Sequence, residues 1–120
     1  MMLSPFLEST LLGACPGLRE SWDSYRRTLG AHDEADDRAL LDAVRRHVIG
    51  LLVAGRVAEF SRFARTLERL IGEADPILYD VFREGLVQPL ARDARDAGLE
   101  ASRVEPYLGT RTALVWSTTT

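Results

Sequence analysis

Few side chains in this sequence are suited to chemistry near neutral pH. Histidine is the one whose ordinary pKa lies there, and the chain has two, His32 and His47. His32-Asp33 is the kind of pair that metal-dependent hydrolases use. Such a site takes further histidines and a distant aspartate, and no second histidine-aspartate pair follows. His32 therefore reads as part of a solvated loop, and His47 as a core-margin residue beside a helical apolar stripe. Cys15 is the only cysteine, so an internal disulfide and a cysteine-based zinc site are both excluded. Beside Pro16 it reads as a small buried hydrophobe, and no nucleophile elbow, phosphate loop or cysteine-histidine signature accompanies it. The remaining candidates are Glu59, Glu68, Asp80 and Glu84, which two successive helices would carry. Brought together they would form a general acid/base pair. The commoner fate of such residues is pairing with arginine, here Arg62, Arg65, Arg69 and Arg83. No cofactor and no metal is expected, and no catalytic residue is assigned.

The elements that position these groups are helical. Ser4-Pro5 is a capping hydroxyl followed by proline at the first helical position, and Phe6, Leu7, Thr10 and Leu11 follow at helical spacing. Cys15-Pro16-Gly17 breaks that helix. Leu18, Trp22, Tyr25 and Leu29 then mark a second stripe, ended by Gly30, with Trp22 as its anchor to the core. The segment AHDEADD places Asp33, Glu34, Asp36 and Asp37 ahead of a long periodic run, where helix amides and dipole favour negative charge. The third helix is expected over about 37–54, with Leu40, Leu41, Val44, Val48, Leu51 and Leu52 on one face.

After Ala54-Gly55-Arg56 the pattern restarts with Val57, Phe60, Ala64, Leu67 and Ile71, and Phe63 and Leu70 widen the stripe. A continuous helix would spread apolar surface around most of its circumference; a turn at Gly55 lets the two stripes face each other. The reading is a helical hairpin, against the alternative of one helix kinked at Gly55. Asp75-Pro76 opens a further helix lined by Ile77, Leu78, Val81, Phe82, Leu86 and Leu90, kinked or restarted at Pro89 and capped at Gly98-Leu99. Ser102-Arg103-Val104-Glu105 matches a capping box, and Gly109 closes the short turn after it. In the tail, TRTALVWSTTT, threonine, valine and tryptophan suit a strand, while Thr110 is equally able to cap a last helix that docks Leu114 and Trp116. No partner strand is evident, so helix or coil is favoured. The expectation is an all-α, compact single-domain bundle of about five helices with a central helical hairpin, spanning 1–120, with residues 1–12 loosely packed and 117–120 a tail.

Size and composition agree with one soluble domain. The 120 residues are 46% hydrophobic and 28% charged, the balance of an ordinary globular protein that folds without a staple. Every basic residue is an arginine, with no lysine and no asparagine, a bias attributed to a GC-rich coding sequence. The formal charge of −3 disfavours a general nucleic-acid binder or a ligand of acidic membranes, since both require a positive surface field. Leu12-Gly13-Ala14-Cys15 has the form of a lipoprotein cleavage box, but the segment before it has no positive charge and carries Glu8, so no signal peptide is assigned. No apolar run reaches the length that spans a bilayer. A cytoplasmic protein is expected.

Charge is unevenly distributed along the chain. Residues 38–72 hold seven arginines against three acids, a net of +4, while 31–37 carry −4 and 73–108 carry another −4. Arg62, Arg65 and Arg69 share one helical face. Such polarity either steers a charged partner or is satisfied internally, basic helix against acidic helix.

The second half of the chain resembles a family of small uncharacterised helical bacterial proteins, a domain of unknown function common in actinobacteria. The residues that carry the resemblance are LLVAGRVAEF, LERLIGEADP, ILYDVFREGLVQPL and the closing VEPYLGTRTALVW. Glu68, Asp75 and Pro76 match one motif, and Tyr107, Leu108, Gly109 and Trp116 the other. Thr110 stands where family members usually have proline, and Gly85 where they have an acid. The resemblance covers about 38–116 and implies an all-helical fold without catalytic residues to carry over. Small acidic proteins of this kind look like immunity proteins, which neutralise a co-encoded toxin by binding it. Charge and resemblance together give the expected role: a non-enzymatic cytoplasmic protein-binding module, of immunity or regulatory type. Asp33, Glu34, Asp36 and Asp37 would be its face toward a basic partner, with Arg62, Arg65 and Arg69 as the opposite pole. The alternatives are a small carboxylate-based hydrolase and a ligand-binding helical bundle.

Overall fold

The helix openings written into the sequence are used as capping chemistry requires. In the computed structural model, which describes residues 4–29 and 36–119, helix α1 spans Pro5–Ala14, and the Ser4 side chain accepts a hydrogen bond from the Leu7 amide. A 3₁₀ turn, Pro16–Leu18, leads into α2, Arg19–Thr28. Helix α3 runs Asp37–Val53 with the Asp36 carboxylate accepting from the Ala39 amide at 2.8 Å. Helix α5, Pro76–Phe82, has the same arrangement, with Asp75 accepting from Leu78 at 2.8 Å. Between them lies α4, Val57–Glu73. The expected end of α2 at Gly30 falls outside the described residues.

Helices α3 and α4 form the hairpin. Gly55 adopts φ +73°, the Gly55 amide donates to the Leu52 carbonyl and the Arg56 amide to Leu51. This is the paired pattern of a left-handed C-cap; a kinked continuous helix is ruled out. Gly98, φ +77°, repeats it at the end of the later helix, with its amide on Arg95 and that of Leu99 on Ala94.

Proline 89 is accommodated without a break. Residues Arg83–Val87 widen into a π-helical turn that joins α5 to α6, Gln88–Asp96. Pro89 has no N–H for the carbonyl four residues back, and its ring would crowd that carbonyl; a widened turn relieves both problems. The widened turn lies against α3, where a Cβ at Gly85 would stand 3.0 Å from the Leu41 side chain. A short helix α7, Ala101–Val104, and a 3₁₀ turn Glu105–Tyr107 follow, then α8, Thr110–Thr118.

Several expectations are corrected. The helix at Ala101 already includes Ser102, so Ser102 does not cap it and the capping box is not formed. Gly109, not Thr110, occupies the N-cap position of α8. That helix buries Val115 and Trp116 but leaves Leu114 exposed, and Ile77 also faces outward instead of lining the core. Among the described residues of the first segment, Leu7, Leu11 and Leu12 are buried, and the tail is helical through Thr118. The described residues hold eight α-helical segments, more than the five expected, because the π turn ahead of Pro89 separates α5 from α6 and two short helices close the chain.

The hairpin is the centre of the packing. Helix α4 contacts α1, α3 and α8, while α3 also packs on the π turn and α6. Phe60, Phe63, Phe82, Leu40, Val44 and Leu67 are at most 1% exposed. Trp22 is anchored as expected, buried with its indole N–H donating to Glu8 at 2.8 Å. The architecture is all-α, a single compact domain. No helix among the described residues is long and apolar enough to cross a membrane.

Candidate functional site

The four carboxylates considered as an acid/base pair do not converge: Glu59 and Glu68 each have a separate partner, while Asp80 and Glu84 share one arginine. Glu59 pairs with Arg56 beside the hairpin turn. Asp80 and Glu84 both reach Arg83, at 3.0 Å each. Glu68 reaches from α4 to the N-terminus of α8, where it accepts from the amides of Arg111 and Thr112 at 3.1 and 2.9 Å and from the Thr112 hydroxyl at 2.9 Å. Arg111 completes this contact with an ion pair at 3.4 Å. Of the arginines expected to neutralise these acids, only Arg83 does so; Arg56 and Arg111 replace the other three.

Burial is the largest influence on Glu68 and pushes its pKa up. The hydrogen bonds from Thr112 and Arg111 together outweigh it, and the carboxyl is held below its ordinary value. The approach is close enough to need a glycine: a Cβ on Gly109 would collide with the Glu68 side chain. The sequence offers Glu68 as an acid/base candidate or, more commonly for its type, as an arginine partner; in the fold it pairs with Arg111 and caps α8 from another helix.

The acidic segment is drawn into the fold as well. Asp36 caps its own helix, and Asp37 accepts from the Ser4 amide at 2.8 Å, fixing α1 to the start of α3. Asp33 and Glu34 lie outside the described residues, as does His32. The face proposed for a basic partner is therefore half committed to capping. Between helices, Arg45 meets Asp93 at 2.9 Å and Arg26 meets Glu8 at 2.9 Å, so part of the charge polarity is satisfied internally.

Arg62, Arg65 and Arg69 are all exposed. They lie opposite the face of α4 that buries Phe60, Phe63 and Leu67, and none of the ion pairs found among the described residues involves them.

Cys15 is 1% exposed. Burial, reinforced by the negative charge of Glu59, pushes its thiol up to about 12, so the thiolate needed of a nucleophile is disfavoured. His47 is half-buried on α3, with its Nε2 enclosed and without a hydrogen-bond partner. The imidazole edge lies under Gly17, where a Cβ would stand 3.1 Å from Cε1. Burial lowers the His47 pKa; Glu59 opposes that shift and Arg56 adds to it.

A cleft of about 510 Å³ opens between α2 and α3, lined by Trp22, Tyr25, Asp42, Arg46 and His47 among others. It has the volume of a small-ligand site but contains none of the four carboxylates. A second, of about 410 Å³, runs between α3 and the π turn and holds Glu84 without the other three. Among the described residues no group of three or more histidine, cysteine or acidic side chains is placed to hold a metal ion. No protein-family model, no curated protein and no solved structure matches the chain.

Proposed function

We propose that this chain is a non-enzymatic module that works in the cytoplasm by binding another protein, in the manner of an immunity protein or a regulatory partner. One observation carries the reading: among the described residues, the carboxylates considered for chemistry or for the acidic face are each engaged by a partner within the fold. Glu68 caps α8, Asp36 caps α3, and Asp37 ties α1 to α3. Glu59, Asp80 and Glu84 form local ion pairs. What remains outward is a polarised surface, which suits recognition.

We also propose that the chain belongs with the small helical bacterial proteins it resembles. The residues that carry the resemblance have connected structural roles. Asp75 and Pro76 open α5, Glu68 and Gly109 form the contact that starts α8, Tyr107 meets Phe60 edge-on at 6.2 Å between ring centroids, and Trp116 is buried. A motif of this content specifies architecture, and function would reside in the surface around it.

The test is a capture experiment with a kinetic control. Full-length protein, immobilised and exposed to a lysate of its own host, should retain one protein that re-forms a stoichiometric complex when both are purified. Turnover of a model ester or phosphomonoester by the purified chain, lost on Glu59→Gln or Glu84→Gln, would overturn the reading.

A further inference from the structure

Arginines 62, 65 and 69 lie at i, i+3 and i+7, a spacing that stacks them along one side of a helix over about 10 Å. The row does not end at Arg69. One turn on is Gly72, over which α8 lays the guanidinium of Arg111; a Cβ at Gly72 would meet Arg111 Nη1 at 3.3 Å and Cζ at 3.4 Å. Arg111 is 63% exposed and its ion pair with Glu68 is long, 3.4 Å, so most of its hydrogen-bonding capacity faces outward. Two helices thus build one ridge of four guanidinium groups, about 15 Å long, on a chain whose formal charge is −3.

We infer that this ridge, Arg62-Arg65-Arg69-Arg111, is the docking surface of the binding module and that its occupant is an acidic helical segment of a partner protein. The inference rests on the binding reading above and names its face and the chemistry of its partner. Guanidinium groups engage carboxylates through paired, planar hydrogen bonds, and glutamates at the same helical spacing would meet the row in register. Nucleic acid fits less well. The half-buried residues between Arg62 and Arg69 are Thr66 and Glu68, which offer no aromatic surface for bases to stack on, and the net negative charge opposes a long polyanion. Within the acidic segment Asp36 caps α3 and Asp37 holds the Ser4 amide, whereas Arg62, Arg65 and Arg69 enter none of the ion pairs among the described residues.

The test uses full-length protein and a labelled alanine-based helical peptide with glutamates at i, i+3 and i+7. Binding is measured by fluorescence anisotropy across a salt series. Arg62→Glu with Arg65→Glu should weaken binding about tenfold or more and flatten its salt dependence. Arg92→Glu with Arg103→Glu alters net charge equally but lies on α6 and α7, and should change affinity about twofold at most. Circular dichroism confirms that both variants fold. Equal losses from the two variants would overturn the ridge, as would tighter binding of a 20-base-pair DNA duplex than of the peptide. Self-association abolished by the Arg62/Arg65 variant would overturn the occupant, making it a second copy. A host partner that binds the Arg62/Arg65 variant as well as wild type would remove the ridge and leave the binding function standing.

Discussion

Replacing Glu68 by alanine should release the last helix from the hairpin, and the structure sets the size of the effect. The substitution removes the acceptor of two backbone amides and one hydroxyl, on a residue whose side chain is only 20% exposed. Losing an N-cap costs about 1 kcal/mol, and stranding a buried hydroxyl that had a charged acceptor costs about 1–2 kcal/mol more. Thr112 is 1% exposed, so water does not easily replace that bond, whereas it can reach the amides in part. A loss of about 2–3 kcal/mol follows, or a fall in Tm of about 8–12 °C for a domain of this size. Glu68→Gln, which keeps one acceptor oxygen, should cost about half as much. Urea unfolding followed by circular dichroism gives the magnitude, and hydrogen exchange of the 111–116 amides locates it. Because the folded carboxyl titrates below its ordinary value of 4.5, its contribution is complete above that pH and is lost as pH falls through the folded pKa. In the alanine variant the acid limb of the stability curve should be flatter. Stability within about 0.5 kcal/mol of wild type, or unchanged exchange over α8, would refute the proposed cap.

Gly98→Val should destabilise by about 1 kcal/mol or more, since φ +77° resists a β-branched residue; urea midpoints measure it, and a neutral result would contradict the left-handed cap. His47 should make the protein acid-sensitive: its folded pKa lies below the ordinary 6.5, so the unfolded state takes up protons first and stability declines as pH falls through that value. His47→Leu should flatten the decline, read as Tm between pH 5 and 8. Cys15 should resist a thiol-specific disulfide reagent at pH 8 in the native protein and react at once in denaturant, and Cys15→Ala should leave binding unchanged.

The extent to which the fold was legible in sequence depends on how far apart the cooperating residues stand. Ser4, Asp36 and Asp75 cap helices by reaching amides three residues on, and Gly55 and Gly98 close them through bonds within five residues. Such signals are local, and apolar spacing supplied the stripes that the hairpin buries, so class, helix positions and hairpin followed from the sequence by itself. Where local signals competed, the sequence was ambiguous. Ser102 has the form of a cap but lies inside a helix that begins one residue earlier, and Pro89 announces a break that the π turn absorbs.

Only the tertiary structure decided what the charged residues do. Glu68 and Arg111 are 43 positions apart, and Ser4 and Asp37 are 33; no spacing rule links them, because their meeting depends on how helices pack. Arg62, Arg65 and Arg69 could be placed on one face from sequence, but whether acids would cover that face depended on the neighbours of α4. Those neighbours, α1, α3 and α8, pack against its other sides, and α8 adds Arg111 to the row. Hydrophobic burial repeats with the helix and can be read along a chain, whereas a charge acquires its role from whichever partner the completed packing brings within a few ångströms.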